Sequence, residues 1–527
     1  MLWSFHGGLK LAEHKQESNI LPSMPARLPR QLVVPLHQHI GLPAEPVVKV
    51  GEHVLKGQRI AEGMDHISAS VHAPSSGTIV AIEARPIPHP SGLMATCAVI
   101  ETDGKDEWIE RQGHRNYLEL DRKEIIRLIH DAGIVGLGGA VFPTHAKVCC
   151  PVVPTELLII NGAECEPYIT CDDHLMRERP TQIIEGINIL MHALGTARCI
   201  IGVEDNKQKA IDALNQILRL MDEGERIQVQ PVPTLYPTGG ERQLIRVLTG
   251  KEVPRGGLPA SIGIMCQNVG TAAAVYDAVI EGTPLISRMV TVTGAGVAVQ
   301  QNLEVMIGTP MADLIEQCGG FEPGVKQLVM GGPMMGFALH SDQLPVVKST
   351  NCVLAADRSE IPERPTPLPC IRCGECVKVC PAQLLPQQLY WYSRARDFEK
   401  TQEYKLDACI ECGACAYVCP SQLPLVDYYR YAKSQIRAQA RDRIKADQAR
   451  QRHEARDARI AREVAEREAR RNMKKAALDS AGADADQDTK RAAVAAAVER
   501  AKARKAAQAT DAATADSNAD TNTESND

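Results

Sequence analysis

The chain has 527 residues, 44% hydrophobic and 4% aromatic, with 59 basic and 65 acidic side chains for a net charge of −6. At roughly 100–200 residues per domain it holds three or more domains, and the lack of any run of about eighteen apolar residues excludes a transmembrane helix. Seventeen cysteines, behind a start without a charged n-region or an apolar h-region, point to a reducing compartment and metal ligation, not to disulfides.

Residues 1–112 read as short strands broken by Gly/Pro turns. Within them Val50–Ile60 and Val71–Val80 resemble the two halves of the hammerhead in lipoyl and biotinyl domains, a barrel-sandwich fold. That family places its cofactor-bearing lysine between the halves. Here Ala61–Ser70 contains no lysine, so the module is expected to pack or dock, not to swing.

Residues 113–284 alternate apolar strands with amphipathic helices, the pattern of a layered α/β domain. Leu120–His130 reads as a helix, and Glu156–Asn161 and Ala197–Val203 as buried strands. In such sheets, functional loops lie at the carboxyl ends of the strands. Gly133–Lys147 is a glycine-dense loop, in which backbone N–H groups can approach a phosphate or a planar ring closely. A tight turn with no ligand is the competing reading of glycines alone. His145 and His174 show no ligand-like spacing. Residues 285–350 read as a small separate unit, with strands at Met289–Gly294 and Asn302–Gly308 and a helix over Met311–Cys318.

The proline-rich Ile361–Pro369 then leads into a unit spanning 351–435. Cys370-Ile-Arg-Cys373-Gly-Glu-Cys376-Val-Lys-Val-Cys380-Pro is repeated as Cys409-Ile-Glu-Cys412-Gly-Ala-Cys415-Ala-Tyr-Val-Cys419-Pro. This is the C-x2-C-x2-C-x3-C-P run of two-cluster ferredoxins, whose fourth cysteine ligates the other cluster. It assigns one [4Fe–4S] cluster to Cys370, Cys373, Cys376 and Cys419, and a second to Cys409, Cys412, Cys415 and Cys380. Zinc knuckles would show paired C-x2-C units with four ligands per site. The other nine cysteines (Cys97, Cys149, Cys150, Cys165, Cys171, Cys199, Cys266, Cys318, Cys352) read mainly as small buried hydrophobes. Helix is expected over Gln387–Tyr404.

Residues 436–527 are an Ala/Arg/Glu/Lys/Gln tract of strong helix formers with an acidic, Ser/Asn/Thr-rich end, read as a solvated helix fraying into disorder. Residues 430–475 carry 16 basic and 7 acidic side chains. With the charges interleaved and no aromatic after Tyr431, the tract is not a nucleic-acid platform; contact with an anionic membrane surface or a partner is the alternative to plain solvation.

Three segments together carry a resemblance. Gly133–Lys147, Asn161-Gly-Ala-Glu-Cys-Glu-Pro167 and Gly239–Gly250 resemble three motifs of the NADH-oxidising flavin subunit of respiratory complex I. Residue by residue, the resemblance carries over Gly136, Gly138, Gly139, Ala140, Phe142 and Lys147 from the first motif. It carries over Asn161, Glu164 and Glu166 from the second, and Gly240 and Glu241 from the third. All eleven are implied FMN- or NADH-site residues. Glu164, Glu166 and Glu241 would shape the flavin and nicotinamide site, with helix capping or solvated loop charge as the alternative. Lys147 would pair with the flavin phosphate, with a surface lysine as the alternative. Val141 departs from a glycine of that pattern, Leu137 from an arginine and Ala163 from an aspartate. Residues 285–345 resemble the β-grasp (SLBB-type) unit that follows in that subunit.

The whole order — barrel-sandwich hybrid, layered α/β flavin/NADH domain, β-grasp unit, helical two-cluster ferredoxin domain, basic tail — resembles the C-subunit family of the Rnf/Rsx ion-translocating oxidoreductase complexes. The resemblance implies FMN, two [4Fe–4S] clusters and NADH as substrate. It implies electron input to a cation-translocating, NADH:ferredoxin-type complex, with the other subunits as partners, a ferredoxin-type carrier reached through them, and a peripheral place on the cytoplasmic face of the inner membrane. No nucleic acid is involved. A soluble flavin/iron–sulfur reductase, such as a cobalamin reductase, would share every site. A redox sensor or scaffold would lack flavin and NADH turnover.

Overall fold

Alternating apolar and polar residues near the start build two small antiparallel sheets facing each other. One holds Gln31–Pro35, Met94–Thr102, Gly77–Pro86 and His53–Val54 in that spatial order; the other holds Glu45–Pro46, Arg59–Glu62 and Val71–His72. Leu32, Val34, Ile60, Val71, Ile79 and Ile100 point between them and are fully buried or nearly so. This is the expected barrel sandwich. The computed structural model describes residues 2–149, 151, 153–361, 366–481 and 487–515. Cys150, part of the proline-rich linker and the acidic end after 515 lie outside them.

Next comes a four-stranded parallel sheet ordered Ile227–Val232, Cys199–Glu204, Leu157–Gly162, Ile264–Asn268. Its central strands are apolar on both faces, as a parallel sheet covered by helices requires. The helix predicted at Leu120–His130 forms as Arg122–Asp131, started by Asp121, whose side chain accepts the Glu124 N–H. Helices Pro180–Leu194 and Val269–Ile280 pack together so closely that a Cβ on Gly186 would lie 1.9 Å from the Ala272 carbonyl oxygen. The carboxyl edge of this sheet presents Asn161, Gly162, Glu204 and Asn268 to the loops above it.

A mixed six-stranded sheet follows, ordered Met24–Pro25, Gln301–Met306, Ser287–Thr293, Cys352–Ala356, Gln327–Met330, Phe337–Leu339. Its makeup shifts one expected boundary. Cys352–Ala356 pairs with both Ser287–Thr293 and Gln327–Met330, so the β-grasp unit extends past residue 350. Met24–Pro25 pairs with Gln301–Met306, so the first two dozen residues of the N-terminal region also reach beyond its two sheets. They form a strap across the other units. Trp3 lies over Arg246, Gly8 N–H donates to the Val379 carbonyl, and Leu9 pairs with Tyr236. Lys15, buried, donates from Nζ to the carbonyls of Glu164 and Ile169.

The ferredoxin unit has short helices Glu375–Lys378 and Ala414–Tyr417, plus Pro386–Ala395 and Phe398–Glu403 where one helical stretch was predicted. Contacts divide the chain into Met1–Ser434 and Gln435–Asp527. In the second unit the described backbone is helical to Ala481 and again over Gln487–Ala515, and the side chains described there are almost all exposed. Among the described residues no helix is long and apolar enough to cross a membrane.

Candidate flavin and cluster site

The two cysteine runs fold as pseudo-equivalent copies. Arg372 and Glu411, Gly374 and Gly413, and Gln383 and Gln422 all have positive φ at matching places. Left-handed backbone at a non-glycine is uncommon, and its recurrence in both copies marks loops bent to aim three side chains at one point. Two cavities result. One, of about 370 Å³, is lined by Cys370, Cys373, Cys376 and Cys419 with Trp391 and Arg372. The other is lined by Cys380, Cys409, Cys412 and Cys415 with Tyr429. Each cavity thus gathers the predicted quartet, including the cysteine crossing over from the other run.

The quartets differ in depth. Cys373 is exposed, whereas Cys380, Cys412 and Cys415 are buried. Burial pushes the Cys412 thiol up to about 11 and Cys415 upward as well. Four thiols converging on one cavity away from water fit a cationic iron–sulfur core, which would stabilise their thiolates against the cost of burial. Backbone N–H groups already point at two of the sulfurs, from Glu411 to Cys409 Sγ and from Leu384 to Cys380 Sγ, both at 3.4 Å.

The flavin motifs converge at the carboxyl edge of the parallel sheet. Gly136 N–H closes the glycine loop on the Phe142 carbonyl (2.9 Å). Leu137 N–H is held by Thr271 Oγ1 (2.9 Å) at the start of the Val269–Ile280 helix, and Gly138 lies against Asn268. The tip, Gly138, Gly139 and Ala140, is exposed, and a Cβ on Gly139 would meet nothing within 4 Å. Val141, where the complex I pattern has glycine, keeps a glycine-like φ of +44°, a conformation that costs a β-branched residue about 1–3 kcal/mol.

Lys147 reaches across to Glu241 (2.7 Å) and the Cys266 carbonyl (2.5 Å). Gly240 and Glu241 form the start of the Glu241–Thr249 helix, whose free N–H groups suit an anion. Asn161 ties the second motif to the third, donating to the Gly239 carbonyl (2.8 Å) while accepting the Ala163 N–H (3.1 Å). Next in sequence to Asn268 and near Glu241, Gln267 and Gln243 are buried with Nε2 and Oε1 unpartnered. An exposed loop tip, a lysine, a helix start and orphaned buried amides together fit a phosphate-bearing, hydrogen-bonding ligand such as FMN.

Two acidic candidates sit differently. Glu164 is buried in a network: its carboxylate accepts the Asp172 N–H (2.8 Å), faces Lys15 at 3.9 Å, and leaves Oε2 without a hydrogen bond. Burial raises its carboxyl, and that of Asp172. Glu166 accepts the N–H groups of Met334 (2.6 Å) and Met335 (2.9 Å), which fastens the second motif to the β-grasp unit. Lys15 and Tyr236 escaped sequence reasoning. No spacing marks Lys15, and the signal for Tyr236 was only a rare aromatic just before the third motif. The Tyr236 hydroxyl donates to the Cys412 carbonyl at 2.6 Å, joining the flavin domain to the buried quartet.

The comparisons agree with this layout. Family models described as the RnfC barrel-sandwich hybrid domain (residues 3–105), the Nuo51 FMN-binding domain (129–277), the SLBB domain (289–338) and the 4Fe–4S dicluster domain (369–423) match in order. The domains for FMN and for two [4Fe–4S] clusters are therefore both present. Relatives named as the C-subunit of an ion-translocating oxidoreductase complex include one from Pseudomonas aeruginosa, 49% identical over 89% of this chain and 60% of its own length. One from Vibrio cholerae is 47% identical over 91% and 61%, and one from Yersinia pestis 46% over 93% and 78%. The chain thus spans about 60% of the length of the first of these. An NAD+-reducing [NiFe]-hydrogenase structure aligns at 20% identity and a TM-score of 0.42, over 62% of this chain and 65% of that one.

Proposed function

This chain belongs to the C-subunit family of the ion-translocating oxidoreductase complexes, and on that premise we propose that it passes electrons from NADH through FMN and two [4Fe–4S] clusters to other subunits of a membrane complex. Bound FMN supplies the step from a two-electron hydride donor to one-electron carriers, and each cluster takes one electron at a time. Within this scheme Gly138, Gly139 and Ala140 let the flavin approach the backbone. Lys147 and the start of the Glu241–Thr249 helix hold its phosphate, and the sheet edge at Asn161 and Asn268 borders its ring. The Cys409, Cys412, Cys415 and Cys380 quartet is the inner cage, and the Cys370, Cys373, Cys376 and Cys419 quartet the outer one.

The carrying observation is the 2.6 Å bond from Tyr236 to Cys412, set against the exposure of Cys373. The buried quartet faces the flavin domain; the other faces outward, where a partner can reach it. NADH as donor, a ferredoxin-type acceptor reached through partners, cation translocation by the assembled complex and a peripheral seat on the cytoplasmic face are parts of the same proposal.

The order of the cages is tested with two variants. In Cys373→Ser, NADH should still reduce the inner cluster. In Cys412→Ser, NADH should no longer reduce the outer cluster within milliseconds. Undiminished outer-cluster reduction in Cys412→Ser would reverse the order. Rebinding of the protein to washed membranes from cells lacking it separates a component of a membrane complex from a soluble reductase.

A further inference from the structure

The inner cage has a feature without a counterpart at the outer one. Tyr236 is 3% exposed, and its phenol donates to the carbonyl of Cys412, the middle ligand of the buried run. The two runs are offset by a constant spacing, so Cys373 is the equivalent of Cys412. Among the described residues no side chain donates to the Cys373 carbonyl. Tyr236 is also held so that it cannot turn away. Its backbone N–H and C=O both pair with Leu9 of the strap, at 2.9 and 2.8 Å. Its ring packs among Cys412, Ala414, Cys165, Met334 and Val379. Gly413 sits so tightly that a Cβ there would lie 2.8 Å from the Met334 carbonyl.

We propose that Tyr236 is a positioning residue that fixes the inner cage against the flavin domain and, through its hydroxyl dipole, keeps the inner cluster easier to reduce. This rests on the cluster reading given above. A reduced cluster carries one more negative charge than an oxidised one. A donor held one peptide away, with its positive end toward the ligand loop, stabilises the reduced form. Out of water that dipole is screened less than it would be in solvent. The asymmetry biases electrons arriving from the flavin toward the inner cluster first.

The test is an EPR-monitored redox titration of the full chain with both clusters and flavin in place, comparing wild type with Tyr236→Phe. Iron and flavin contents should be unchanged. One of the two midpoints should move negative, lowering the reduced-to-oxidised ratio at fixed potential several-fold, up to about tenfold, equivalent to ~59 mV for one electron. The other midpoint should stay. Replacing Tyr236 by 3-fluorotyrosine, a stronger donor of nearly the same shape, should move the same midpoint the other way. This arm keeps the test decisive if Tyr236→Phe fails to assemble its inner cluster. Midpoints that do not move in the fluorinated protein, or that move together in either variant, overturn the proposal. A wild-type protein lacking iron or flavin would sink the underlying cluster reading instead, and is seen before any variant is made.

Discussion

Lys348 is the sharpest place to test how the units are joined. It is 1% exposed, and its amine donates to the carbonyls of Ser70 (3.1 Å) in the barrel sandwich and Gly133 (2.8 Å) in the flavin domain. Among the described residues no carboxylate pairs with it, and burial alone lowers its pKa from 10.5 to about 7. At 1.36 kcal/mol per pH unit, that gap corresponds to ~5 kcal/mol by which the folded state disfavours the charged amine. The direction is fixed by linkage. Below pH 7 the amine is charged folded and unfolded, so the penalty stands in full. From pH 7 to 10.5 the unfolded chain still binds the proton while the folded one releases it, so stability rises with pH. His39 and His72 beside it are held near 4 and 3 by burial, and stay neutral in that window. Urea unfolding of wild type and Lys348→Met at pH 6.5 and 9 measures the effect. The stability of wild type relative to the variant should increase by ~2–3 kcal/mol between the two pH values. A difference independent of pH would refute the reasoning and leave Lys348 charged throughout.

Lys147→Met should lower bound flavin while leaving iron near eight atoms per chain, as two four-iron clusters require. Its half-exposed ion pair with Glu241 is worth under ~1 kcal/mol, so melting should barely change; a large loss of Tm with flavin retained would contradict its role. Cys380→Ser should abolish the EPR signal of the cluster that Cys409, Cys412 and Cys415 hold, and not that of its own run, because the ligand crosses over. Gly186→Ala should destabilise the flavin domain by at least ~1–3 kcal/mol, since the added Cβ would press on the Ala272 carbonyl; wild-type stability by thermal unfolding would mean that the two helices are not so close.

The local devices were legible in the sequence and the long-range ones were not. The cysteine runs announce both quartets and their crossover because cluster ligation demands short, repeated spacing. The buried strands of the α/β domain and the Met311–Gln317 helix follow from periodicity and glycine stops, and the barrel sandwich from its likeness to lipoyl and biotinyl domains. The flavin motifs, by contrast, were visible only through resemblance, since glycines alone do not tell a cradle from a turn. Glu166 shows the limit within a motif: nothing local to Glu-Cys-Glu says that its carboxylate will hold Met334 and Met335, more than 160 residues later. The strap was missed for the same reason. Lys15, His6 and Gly7 act on Glu164, Cys380 and Val379, contacts that no pattern within residues 2–20 encodes. The boundary at 350 failed because Cys352–Ala356 joins its sheet by pairing parallel to Ser287–Thr293, a crossover that sequence proximity does not suggest.

The most direct measurement is an anaerobic NADH titration of the purified chain followed by optical and EPR spectra, with flavin and iron assayed on the same sample. The account predicts one flavin and close to eight irons per chain. NADH should bleach the flavin and raise two magnetically interacting reduced-cluster signals. Eight irons with no flavin and no response to NADH would contradict it, leaving a two-cluster carrier fed by some other donor.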